Sequence, residues 1–484
     1  MRDIMLGLAL CALLGSNAAA LTLAQAIDAA RGHDTGYLAA GHARDAGHEK
    51  RVQGRAGLLP QAQIDAGYSQ QSEPGATYAT DVRRHNYDIS VTQPIYAPAR
   101  VATYKRDASL SDAADVEFAK AEQSLVIDVS NAYFDVLFGR EALAAAQAAE
   151  KAFAQQLKQA QAALKLGEGT RIEVDEAQAN DDQAAAQAIA ASNDLAISQA
   201  AYTRLTGMAP ASIEPVQWSC VPPVSADPDA AMSSAATHNL NVRAAQLQVK
   251  QAQADVLAAR AANLPVANLQ ASYGTNWSRA LGGNEWDAIF GTTSKTPVVQ
   301  VGVNVTIPVF SGGAGLSQMR EAASRREQSD AALEDARRKA REDARTAYLN
   351  LTNGQALIHA KERALQSADI KVQSTRMGRE VGLRSTIDLL NAQQHYFEAI
   401  RDLADARYKF LKARLQLSAA LDTLDADTVS LSCGRAHPAP VATPAASAQS
   451  PSYPGAQQAR TAPPSSSGAP VAAAPLAWSK EVKL

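Results

Sequence analysis

Two twelve-residue stretches hold the residues whose types and spacing suggest chemistry. Gly167 to Gln178 is matched by Gly382 to Gln393 at a constant separation of 215 residues. The first contains Gly167, Thr170-Arg171-Ile172-Glu173 and Glu176; the second contains Gly382, Arg384, Ser385-Thr386-Ile387-Asp388 and Asn391. A hydroxyl residue followed three positions later by an acid is a capping box, in which each side chain accepts from a free N–H of the helix's first turn. Thr170 and Ser385 are thus expected to start helices, and Gly167 and Gly382 to end the preceding ones. Residues three apart share a helix face, so Glu173 with Glu176, and Asp388 with Asn391, each form a polar edge. Several copies of such an edge around an axis make an acidic ring that attracts cations. Read only locally, Glu173 and Asp388 are caps and Arg384 is an i,i+4 partner of Asp388.

Other chemistry is poorly represented. No GxxxxGK[ST], HExxH or GxSxG occurs, the eight His are scattered, and three Cys form no CxxC. Neither an enzyme nor a metal or other cofactor is expected. Lys and Arg total 46 against 49 Asp and Glu, a net charge of -3, which lacks the basic footprint of a nucleic-acid binder.

The elements that must position these turns are written in the prolines and the periodicity. None of the 21 prolines falls between Pro98 and Pro210 or between Pro308 and Pro438, and the text there is rich in Ala, Gln, Glu, Lys and Leu. Long helices are predicted over Ala99–Leu166 and Ala314–Val381, each about 100 Å at 1.5 Å per residue. Leu125, Val129, Ala132, Tyr133, Val136 and Leu137 recur at helical spacing, which suits either a bundle or a tube. Between the helices the period falls to two: Ile64, Ala66 and Tyr68 alternate with polar residues, as do Val299, Val301, Val303 and Val305. Strands are predicted at about 61–71, 85–95, 266–275 and 297–309.

The two halves of the chain match. Ala62 to Tyr68 recurs as Ala267 to Tyr273, each after a Leu-Pro; Ile89 to Tyr96 recurs as Val303 to Phe310; Ala132-Tyr133 recurs as Ala347-Tyr348. The strands are either soluble hairpins packed on the helices or membrane strands. Membrane strands fit better, because the scarce aromatics Tyr68, Tyr78, Tyr87, Tyr273, Trp277, Trp286 and Phe290 gather there as a girdle would. Four strands leave two open edges that lipid does not tolerate, so copies must close them. Residues 1–20 read as a secretory signal: a basic start, an apolar run from Ile4 to Leu14 and the end Ala18-Ala19-Ala20. Cys11 follows Leu10, which does not fit lipid attachment. Residues 437–484 hold nine prolines among Ala, Ser and Gln and are expected to be a disordered tail.

Signal, duplication, paired strands between long helices, and Gly382 to Gln393 followed by Asp402-Leu403-Ala404-Asp405-Ala406-Arg407-Tyr408 together resemble the TolC family of outer-membrane channel proteins over about Leu21 to Leu424. The resemblance implies an α+β membrane protein, internally duplicated over 21–222 and 223–436. It implies a homotrimer whose twelve strands form one barrel and whose helices form a periplasmic tunnel in the cell envelope. The implied partners are a periplasmic adaptor (membrane fusion protein), an inner-membrane ABC transporter and outer-membrane lipid, with no nucleic acid. It implies that Asp388 and Asn391 line the tunnel entrance. The family's second acid is here Asn391, so the ring carries less charge and cation block is expected to be weaker. It further implies that Arg384 bonds the acid at Glu173 to hold the tunnel shut, while a gating tyrosine of the family is replaced by Arg379. Cys220 and Cys433 end the two halves at similar places; a disulfide between them and two separate thiols both remain open. The expected function is the exit duct of a type I secretion system for an unfolded, toxin-like protein. The outer component of a multidrug efflux pump and a soluble periplasmic coiled-coil adaptor are the alternatives.

Overall fold

The computed structural model describes residues 21–72, 81–210, 213–218, 227–281 and 293–424. The signal segment, Tyr78, Trp286, Phe290, Cys220, Cys433 and the tail lie outside the described residues. In chain order the elements are α1 (Leu23–His33), α2 (Thr35–Ala56), β1 (Gln61–Ser72), β2 (Asp81–Tyr96), α3 (Pro98–Leu166) and α4 (Arg171–Thr206). They continue with α5 (Pro228–His238), α6 (Leu240–Ala261), β3 (Val266–Leu281), β4 (Thr293–Thr306), α7 (Ala314–Glu380) and α8 (Thr386–Ala420).

The helix ends fall at prolines, glycines and capping side chains. Pro98 opens α3 with its preset φ, and Gly167 ends it in the left-handed region at φ 80. Asp34 ends α1 and caps α2 by accepting from the Tyr37 N–H, and Asn239 does the same between α5 and α6 toward Asn241. At 69 and 67 residues α3 and α7 each run about 100 Å. Their apolar stripes are Ala-rich, which lets axes approach closely. An added Cβ on Gly139 of α3 would lie 3.3 Å from the Leu195 Cα of α4.

The main core sits halfway along α3. Val129, Tyr133, Phe134 and Val136 pack with Ile27 of α1, Tyr202 of α4, Leu351 of α7 and Leu411 of α8. The six apolar positions expected on this stripe are all buried. Two tyrosines tie polar groups into it. The Tyr133 hydroxyl donates to the Glu214 carbonyl at 2.7 Å, and the Tyr408 hydroxyl donates to Glu141 Oε1 at 2.6 Å. Burial pushes both hydroxyls above their ordinary range, so each stays a donor.

The four strands form one antiparallel sheet in the order β1-β2-β3-β4, with β1 and β4 at its edges. Ile64 opposes Ile89, Ile89 opposes Tyr273 and Tyr273 opposes Val299, so the apolar sets of all four strands fall on one face. Ile64 is 75% and Val301 70% exposed, as expected of a face whose solvent is lipid rather than a protein core. Gln63, Ser90, Ser272 and Gln300 share the other face. On the apolar face, Tyr68, His85 and Trp277 form one aromatic tier far from the helices, and Tyr96, paired with Ala267, marks a second near them. From Ala267 to Trp277 is about 34 Å along a strand, or about 26 Å along the membrane normal at a ~40° tilt, which matches a ~25 Å apolar band. No described helix is long and apolar enough to cross a membrane.

Three strands depart from the expected bounds. β3 runs on to Leu281 rather than ending at 275, because its residues beyond Thr275 stay paired with β2. β2 begins at Asp81, because Asp81 to Arg84 pair with both neighbours although their charges break the apolar alternation. β4 runs Thr293–Thr306 rather than 297–309: polar residues still pair near its start, and Pro308, lacking an N–H, lies beyond the ladder. At the helix junction Gln93 donates to the Leu58 carbonyl and Arg100 to the Gly57 carbonyl, which fixes how α2 and α3 leave the sheet.

Candidate tunnel entrance at the helix tips

The tips where α3 turns into α4 and α7 into α8 are built by the same local chemistry. At the first, Gly167 adopts φ 80, and the N–H groups of Glu168 and Gly169 both donate to the Ala163 carbonyl. Thr170 Oγ1 then accepts from the Glu173 N–H at 3.3 Å, while Glu173 Oε2 accepts from the Thr170 N–H at 2.9 Å. At the second, Gly382 takes φ 75, the Leu383 and Arg384 N–H groups donate to the Gly378 carbonyl, and Ser385 and Asp388 exchange two bonds of 3.1 Å. Both are complete capping boxes. The expected roles of Thr170, Ser385, Gly167 and Gly382 as local structure are what the geometry displays.

Electrostatics keeps both acids ionised. The Thr170 backbone N–H holds the Glu173 carboxyl below its ordinary value; the Thr170 and Thr386 hydroxyls and the Arg379 charge act in the same direction. The Ser385 backbone N–H does this for Asp388, followed by the Ser385 hydroxyl and the charges of Arg384 and Lys371. Asp388 and Asn391 lie one turn apart on α8, and Asn391 is exposed. Behind this edge Leu390 is buried against Phe153 and Ala149 of α3 and Ala184 of α4, so the polar edge stands on an apolar footing. Glu173 and Glu176 are half-buried on α4, and Glu176 Oε2 has no hydrogen-bond partner among the described residues.

The two tips are joined by a bond that sequence reasoning did not single out. Thr386 Oγ1 donates to Glu173 Oε1 at 3.3 Å, across 213 residues of chain. Its only signal in the text is a second hydroxyl beside the cap at Ser385, where the first tip has Arg171. Arg384 forms no ion pair with Glu173 within the chain; its charge acts on Asp388, and Arg379 supplies the cation nearest in effect to Glu173. No cluster able to hold a metal ion occurs among the described residues.

Helices of this length ending in anionic tips, carrying a sheet with an apolar outer face and two open edges, define the protomer of a membrane-seated helical duct. The family model of the outer membrane efflux protein matches residues 26–208 and 231–423. The proteases secretion protein PrtF of Dickeya chrysanthemi is 28% identical over 433 residues, covering 85% of this chain and 90% of its own length. The outer membrane protein TolC of Vibrio cholerae is 27% identical over 419 residues, 86% of this chain and 94% of its own. Among solved structures, the outer membrane protein VceC of Vibrio cholerae superposes with a TM-score of 0.69 at 19% identity, covering 82% of this chain and 95% of that one. The chain belongs to the outer membrane efflux protein family, which bears out the expected TolC-type channel. It is an outer membrane duct with an α+β tunnel fold.

Proposed function

We propose that the chain is the outer-membrane exit duct of a type I secretion system, passing an unfolded protein from an inner-membrane ABC transporter and a periplasmic adaptor to the exterior. The observation that carries this reading is the similarity, over nearly the whole chain, to a protein named for protease secretion. The working unit is a homotrimer. The open edges of β1 and β4 cannot face lipid unpaired, and three protomers supply twelve strands for one closed barrel. In this reading 21–222 and 223–436 are quasi-equivalent halves, and their tips converge at the periplasmic end. Asp388, Asn391, Glu173 and Glu176 then line the entrance, and Asn391 keeps the ring's charge low. Arg384 is free within its own protomer to reach an acid of the next tip when the tunnel is shut.

Deleting the gene and comparing proteins in the medium tests the reading. The expected result is loss of one or a few secreted proteins with drug susceptibility unchanged. Unchanged secretion with a gain in drug susceptibility would favour the efflux reading, to which the family's description also points. Recovery of only a stable monomer from outer membranes, with no larger species on crosslinking, would refute the trimer.

A further inference from the structure

We infer that the outer end of the sheet's apolar face binds a phosphate of an outer-leaflet lipid through Arg83, Arg279 and Lys295. The inference rests on reading that face as the lipid-facing wall of an outer-membrane barrel. Both strand hairpins turn at the end of the sheet away from the helices, so this is the end that meets the exterior.

The register sets the chemistry in tiers. Tyr68, His85, Trp277 and Lys295 share one tier, with ring centroids 5.0 Å apart for Tyr68 and His85 and 4.7 Å apart for His85 and Trp277. Aromatic tiers of this kind sit at headgroup depth. One tier further out, Arg83 stands directly opposite Arg279. Their Cα atoms are therefore about 5 Å apart, and Lys295 lies diagonally about 7–8 Å from Arg279. All three are exposed, and none forms an ion pair among the described residues. In the aromatic tier and the one beyond it, the face thus carries three cationic positions, Arg83, Arg279 and Lys295.

Two like charges directly opposed across a ladder destabilise the pair unless an anion lies between them. A guanidinium fork matches a phosphate bidentately, and a lysine adds a point charge. On the other face at this level, Arg84 is already engaged with Gln71, so the unengaged cations are confined to the outward side. The occupant is a lipid rather than free phosphate, because the tiers just inside expose Tyr87, Tyr273 and Val299, which acyl chains would cover.

The test uses the full-length protein extracted from outer membranes in mild detergent and incubated with a diphosphorylated acylated disaccharide lipid, its dephosphorylated form, or inorganic phosphate. Native mass spectrometry counts the lipid retained. Each cation near an anionic surface strengthens binding about fivefold, so the phosphorylated lipid should be retained on the order of a hundredfold better than the dephosphorylated one. Arg83→Gln, Arg279→Gln and Lys295→Gln should each lower that preference about fivefold. Equal retention of the two lipids by the wild type, a measurement that needs no variant, overturns the proposal. So does an undiminished preference in the single variants, or complete displacement of the lipid by millimolar inorganic phosphate. Failure of the wild type to fractionate with outer membranes would instead strike the barrel reading on which the site rests.

Discussion

Thr386→Val removes one hydroxyl, preserves side-chain shape and leaves both capping boxes in place. What it deletes is the bond from Thr386 Oγ1 to Glu173 Oε1, which joins the two tips of one protomer. Hydrogen bonds to charged groups contribute about 1.5–3 kcal/mol where well made, but this one is 3.3 Å long and only part-buried, so about 0.5 kcal/mol is a fair value. Any opening that parts the tips breaks the bond in each copy. In the proposed trimer, three copies opening together lose about 1.5 kcal/mol, or roughly a tenfold rise in the open population. Single-channel recording in planar bilayers should show that rise for Thr386→Val, with Thr386→Ser close to wild type. The same link has a pH signature. Glu173 is held below its ordinary value of 4.5 chiefly by the Thr170 N–H, which opening leaves in place, with the Thr386 hydroxyl adding a smaller share; that share is present while Glu173 is ionised and is lost as pH falls through its lowered value. Wild-type channels should therefore open more readily in acid, and Thr386→Val should respond less. An open fraction within twofold of wild type, or a serine variant as leaky as the valine one, would sink the idea that the tips are held by this bond.

Asp388→Ala should relieve block by divalent cations, and Asn391→Asp should tighten it by restoring a second acid to the ring; titrating conductance with magnesium checks both. Arg384→Ser should move the loss of that block to higher pH, because the arginine helps hold Asp388 below its ordinary 3.8; conductance measured across pH 3–5 decides. Tyr408→Phe leaves Glu141 without its donor and should cost about 1 kcal/mol, read as a lower apparent unfolding temperature in detergent. Gly54→Val should cost about 1–3 kcal/mol in the same assay, since even a Cβ there meets the Tyr104 Cα at 3.2 Å and Asp107 side-chain atoms at 2.9 Å.

The long helices were legible because proline and glycine punctuate them: expected bounds at Ala99 and Ala314 fall within one residue of the observed starts. Strand faces were legible for the same reason that strands pack at all, a period of two. Strand ends were not, because pairing continues through Asp81–Arg84 and Thr293–Lys295 after the apolar alternation has stopped. At the site, the caps follow from spacing within four residues, and both boxes are formed as expected. The Thr386–Glu173 bond and the influence of Arg379 join segments about 200 residues apart, a separation that no local pattern encodes. The breaks at Asp34 and Asn239 are intermediate: both are ordinary Asx caps, yet their separation of 205 equals that of the Ala62 and Ala267 strands, so the duplication itself was the signal.

The open edges of β1 and β4 also have a genetic consequence. If each ring is closed only by copies of the same chain, an edge-strand lesion in one member spoils the seams of its neighbours as well. In a cell expressing intact and defective chains equally, random assembly into threes leaves only about one ring in eight wholly intact. Alleles that damage β1 or β4 should therefore be dominant in mixed expression, whereas alleles that prevent a chain from folding at all should be recessive.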